Sequence, residues 1–169
     1  MKRLSIRALF LSLAAATVPV ANAEPVAATS IDPKELSSKV WQTTAVYEEN
    51  DRSHNVIERY PGVVGISIWD AASNRFEYFD PSTGQSRLSQ GGAGYFFITG
   101  DKRYQINVFD GGGKALVRRL EILNRQEFTY SRVVPQNMTS GSREVRIYVV
   151  HTPYAGPFKI RFSEKHPTP

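Results

Sequence analysis

The 169-residue chain has no cysteine. That absence excludes disulfide staples, thiol nucleophiles and thiolate metal ligands, and it leaves core packing to hold the fold by itself. Histidine is nearly as scarce. His54, His151 and His166 are the only three, and no two stand two or four residues apart, which argues against a zinc site. No nucleophile-elbow pattern accompanies the serines. The glycine cluster Gly91, Gly92 and Gly94 leads into a strand pattern rather than a helix, so it makes a poor phosphate loop. Lys and Arg are scattered singly rather than striped with stacking aromatics, and nucleic-acid binding is not expected. None of these patterns implies a cofactor.

Long apolar runs are missing as well. The stretch Leu9 to Val20 is too short and wrongly flanked to span a membrane. Lys2, Arg3 and Arg7 precede it and Ala21-Asn22-Ala23 follows it, so residues 1–23 read as a secretory signal peptide cleaved after Ala23. The expected product is a bacterial periplasmic or secreted protein with no transmembrane segment in the mature chain, and without cysteine it has no site for N-terminal lipid attachment. The leader holds three of the 21 Lys and Arg and none of the 16 Asp and Glu, so residues 24–169 carry 18 against 16, a net +2. So small an excess points to a solvated surface, not to a polyanion partner.

What the chain does have is period two. After the segment 24–36, where Asp32 and Pro33 look like the N-cap and first position of a short helical turn, the apolar residues alternate. Trp41, Thr43, Ala45 and Tyr47 are expected on one face. Further strands are expected at Val63–Trp69, Arg75–Phe79, Tyr95–Thr99, Tyr104–Phe109, Leu116–Leu123, Phe128–Val134, Val145–Thr152 and Phe158–Phe162, most of them separated by short turns rich in Gly, Pro, Asn and Asp. Sequential hairpins favour a meander that closes on itself, with Trp41 plugging one end. The expected domain is a single β-barrel over residues 37–163, followed by a disordered tail at 164–169.

A short helical turn before a Trp at the start of the first strand resembles the layout of the calycins, the lipocalins and their relatives. Trp41 matches their Trp, and Arg161 is the candidate for the Arg that packs over it in that layout. A closer resemblance runs through Trp41-Gln42-Thr43-Thr44, the run from Arg75 to Pro81 with Thr83-Gly84 and Ser86-Arg87, the run from Gly94 to Asp101, Phe128 to Arg132, and Tyr148 to Tyr154. These segments are similar to an exported bacterial family known as domain of unknown function 4822, and the resemblance implies a lipocalin-like barrel without any assigned activity. The expected fold is therefore all-β: an antiparallel up-and-down lipocalin-like β-barrel of about eight to nine strands with a short N-terminal helical turn.

Candidate ligand contacts follow from residue chemistry within these segments. Tyr95, Arg132, Tyr148 and His151 combine aromatic surface with polar tips. His151 ends an apolar strand face, where it is either a hydrogen-bonded rim residue or a ligand contact. Tyr130 carries a hydroxyl that needs a partner if buried, with Arg132 two residues away. Glu77 shares a face with Arg75 and Phe79; if that face is inward, Arg87, Arg132 or Arg75 has to pair with it, because an unpaired buried carboxylate is very costly. The expectation is a small hydrophobic or amphipathic ligand held in or at the mouth of the barrel. A filled barrel serving as a structural or interaction module, and a periplasmic enzyme using Glu77 or His151, are the alternatives. Oligomeric state stays open.

Overall fold

The computed structural model describes residues 31–49, 51–113 and 115–163. The expected signal peptide, residues 24–30 and the tail 164–169 lie outside the described residues. Helix α1 spans Pro33–Ser37, with Pro33 at its start and the Asp32 side chain accepting from the Lys34 amide at 3.1 Å. Its one buried residue, Leu36, enters the core.

Eight strands follow: β1 (Trp41–Glu48), β2 (Ile66–Asp70), β3 (Arg75–Phe79), β4 (Ala93–Ile98), β5 (Tyr104–Phe109), β6 (Leu116–Leu123), β7 (Phe128–Pro135) and β8 (Glu144–Pro153). Each pairs antiparallel with the next, and β8 returns to pair with β1, closing an up-and-down barrel. Closure leaves none of these strands as an open sheet edge. β1 begins at one end, the base, beside α1 and the short turns after β2, β4 and β6. The longer connections after β1 and β3, and the turn after β5, frame the other end, the mouth.

The base is packed. Trp41 is fully buried, its indole N–H donates to the Leu36 carbonyl at 2.9 Å, and its ring meets Phe128 edge-on at 5.9 Å. Leu36, Leu123 and Phe128 complete this floor. Arg161, the candidate partner of Trp41, is instead exposed, because the chain that carries it runs along the outside of the barrel.

Two expectations about strands are corrected. β1 does not keep one face throughout: its register to β8 shifts between Thr43 and Ala45, so Val46, not Ala45, follows Trp41 and Thr43 toward the interior. Asn55 closes the bulge, accepting from the Val46 amide at 3.0 Å. The ninth strand does not form. Phe158–Phe162 alternates in burial, yet the segment lies on an outer apolar cluster of Ile66, Ile68 and Phe79, against which Tyr154, Ile160 and Phe162 pack. With β8 already closed on β1, no ladder is open to it. An extended chain lying on a surface still shows period two, since alternate residues face the surface and the solvent.

Candidate functional site

Alternation along the closed strands decides what faces inward. β6 turns Leu116, Arg118 and Leu120 to the interior, β7 turns Phe128, Tyr130, Arg132 and Val134, and β8 turns Val145, Ile147, Val149 and His151. From the mouth a cavity of about 620 Å³ descends between these walls to Trp69 and His151. This lies within the range of small-molecule sites. Gly62–Ile66, Arg87, Gln90–Gly92 and Ala115–Leu116 form its rim.

One wall is aromatic. Trp69 lies 5.3 Å from Phe76 and meets Phe96 edge-on at 5.2 Å, and Phe109 packs against Phe76 at 5.4 Å. A polar group adjoins it, beginning at Tyr78, whose ring touches Phe76 at 5.0 Å. Tyr78 Oη accepts from Arg118 Nη2 at 2.8 Å and from Asn107 Nδ2 at 2.9 Å. The Arg118 guanidinium lies over the Tyr130 ring, 4.2 Å from its centroid. Arg119 pairs with Ser131, so Arg118 and Arg132 stand across from each other one position further along, on the inner face of neighbouring strands. Among the described residues no Asp or Glu lines the cavity. The Nε atoms of both arginines are buried without a hydrogen-bond partner, as are Asn107 Oδ1 and both amide atoms of Gln105.

The electrostatics follow from burial. It pushes the Tyr78 phenol up, so that group stays protonated. Burial pushes Arg132 down, and the like charge of Arg118 acts in the same direction. Burial also weighs against the charge on Arg118, but the phenols of Tyr130 and Tyr78 outweigh it and the pKa is raised. A guanidinium titrates far above neutrality, so both remain cations. Burial, together with the nearby Arg118 charge, lowers the His151 pKa to about 3. His151 is thus a neutral imidazole at pH 7. Its Nδ1–H donates to the Phe128 carbonyl at 3.0 Å, which leaves Nε2 as an acceptor.

Of the residues singled out in the sequence, Tyr130, Arg132 and His151 meet in this cavity, and Arg87 stands on its rim, held by the Val64 carbonyl at 3.3 Å and Asp80 at 3.4 Å. Three others do not line it. Tyr95 lies on the outer face under the Arg75 guanidinium, 4.3 Å away, which in turn pairs with Asp110. Tyr148 is half-buried on the outer face of β8. Glu77 is fully buried, but on the outer face: it accepts from Ser86 Oγ, from the Ser163 amide at 2.9 Å and from Ser163 Oγ at 2.6 Å. These contacts reach it from Ser86 and from the covering segment at Ser163, and its outward face turns it away from Arg132 in the cavity. Glu77 and His151 therefore stand on opposite sides of the barrel wall and cannot act on one substrate atom.

Sequence reasoning passed over Arg118, Tyr78 and Trp69. A signal for Arg118 existed: it sits between Leu116 and Leu120 at two-residue spacing, as Arg132 sits between Tyr130 and Val134.

Fold and site together define an eight-stranded antiparallel barrel, closed by packing at its base and opening through its mouth into a cavity with one aromatic and one cationic wall. The sequence places it further. Residues 33–162, more than half of the chain, match the family described as Domain of unknown function (DUF4822), and the chain belongs to that family. None of the curated proteins compared with the chain matches it.

Proposed function

We propose that this protein is a binding module that holds a small, partly apolar ligand inside the barrel, with Trp69 and Phe109 against its apolar body and Tyr130, Arg132 and His151 at its polar part. The cavity of about 620 Å³ carries this reading. A barrel filled with side chains, the alternative, has no such space. The signal-peptide pattern of residues 1–23 supports a periplasmic or secreted setting.

The test is uptake of a neutral hydrophobic probe, N-phenyl-1-naphthylamine, followed by its fluorescence. Saturable uptake is expected from the unmodified chain. Leu116→Trp, which puts an indole at the rim, is expected to weaken it at least tenfold. No uptake by the unmodified chain, or equal uptake by the variant, rejects the cavity as the binding site.

A further inference from the structure

The cavity wall holds two cations and, among the described residues, no carboxylate to neutralise them. Arg118 is 6 % exposed, in the middle of β6. Its Nη2 has a phenol oxygen as partner, its Nε has none, and its charge meets only the faces of neutral rings. Arg132 flanks it on β7 with its own Nε unpartnered. Like charges on adjacent strands are unfavourable, and more so away from bulk water. Waters can fill the free hydrogen-bonding positions but leave both charges uncompensated. A buried charge of this kind needs a counter-charge with hydrogen-bonding oxygens, and the described lining residues supply none.

We infer that the ligand carries an oxyanion headgroup, a carboxylate or a phosphate, gripped between Arg118 and Arg132 while its apolar body lies against Trp69 and Phe109. This inference rests on the cavity reading above and adds the chemistry of the headgroup. Guanidinium groups match planar or tetrahedral oxyanions with paired N–H donors. Tyr78 Oη already accepts two hydrogen bonds, so its own proton is available as a third donor to the same anion. Arg87 at the rim is occupied by Asp80 and does not compete for the anion inside.

Three probes of equal chain length separate the possibilities: decanoate, decyl phosphate and decanol, titrated into the full chain by calorimetry or by quenching of tryptophan fluorescence. At least one of the two anions is expected to bind ten times or more tightly than the alcohol, and the one that binds better tells carboxylate from phosphate. Arg132→Met is expected to bring the anion's affinity down to that of the alcohol, and an unchanged circular dichroism spectrum is expected to show that the variant is folded. Arg132→Lys is expected to recover part of the difference. If decanol binds as tightly as both anions, the oxyanion assignment is wrong and the cavity reading survives. If none of the three binds and N-phenyl-1-naphthylamine is also excluded, both are wrong.

Discussion

Single residues in the barrel interior trade stability for the capacity to hold something. Arg132 is the clearest case. It is half-buried and poorly compensated, and replacing such a cation by an apolar side chain of similar volume is often neutral or stabilising. Arg132→Met is expected to make the empty protein more stable by about 1–2 kcal/mol, read as a higher urea midpoint with an unchanged slope. A lower midpoint would show that Arg132 is already neutralised in the empty barrel. His151 gives a second prediction. Its folded pKa of about 3 lies below the unfolded value of 6.5, so between those limits the unfolded chain binds a proton that the folded one does not. Stability is then full above about pH 6.5 and falls by about 1.4 kcal/mol for each pH unit below it. The carboxyl of Asp80, lowered to about 2 by hydrogen bonds from Ser82, contributes stability that is lost only as pH falls below about 4. From pH 6.5 to 4.5 the slope therefore reports His151, and His151→Phe is expected to flatten it in urea titrations across that range.

At the scale of the element, the strands show which features local pattern encodes. β4 is held close to β5 because position 94 is glycine: a Cβ there lies 2.1 Å from the Val108 carbonyl oxygen. Gly94→Ala must push two paired backbones apart and is expected to cost about 1–3 kcal/mol, measured by thermal unfolding. The eight paired strands were legible in advance because a meander joins neighbours in sequence, and each strand writes its alternation locally. The bulge in β1 was not, since it depends on Asn55 in a later loop supplying the missing partner. The would-be ninth strand showed the same alternation as its predecessors and differed only in having no ladder left to join. β5 runs against its own hydropathy: Gln105 and Asn107 are fully buried inside, while Val108, with Phe97 and Val117 on the flanking strands, is exposed at 39–52 % outside. Which face is inward is decided by closure of the whole cylinder, not by the strand. For that reason Tyr130, Arg132 and His151 could be found from sequence, sitting on faces with apolar neighbours, as Arg118 does between Leu116 and Leu120, whereas Tyr78, on a strand with aromatic residues on both faces, needed the neighbouring strands before its inward direction had meaning. Glu77 failed for the converse reason. Its burial comes from a segment more than eighty residues away, with which it shares two hydrogen bonds.

Across the whole molecule, the ladders are uneven. β7 and β8 share eight register pairs and β1 and β8 share seven, but β1 and β2 share two and β3 and β4 share three. The β2–β3 hairpin is thus bounded by the two shortest seams, and its inner face carries Ser67, Trp69 and Tyr78 of the cavity wall. Its outer face, Ile66, Ile68, Glu77 and Phe79, is what the segment ending at Ser163 lies across. The chain compensates for short ladders with a strap, by apolar burial and by hydrogen bonds to a carboxylate. Local opening is cheapest where few buried contacts and hydrogen bonds resist it. Amides of residues 66–79 are therefore expected to exchange with deuterium faster than those of β7 and β8 in the unmodified chain. Removing residues 157–169 takes away Ile160, Phe162 and Ser163 together, and should accelerate exchange in the hairpin at least tenfold while leaving β7 and β8 within a few-fold of their original rates. Uniform acceleration over all eight strands would mean that the barrel opens as one unit and that the strap merely adds to global stability. Selective acceleration would make this hairpin the moving part of the cavity wall.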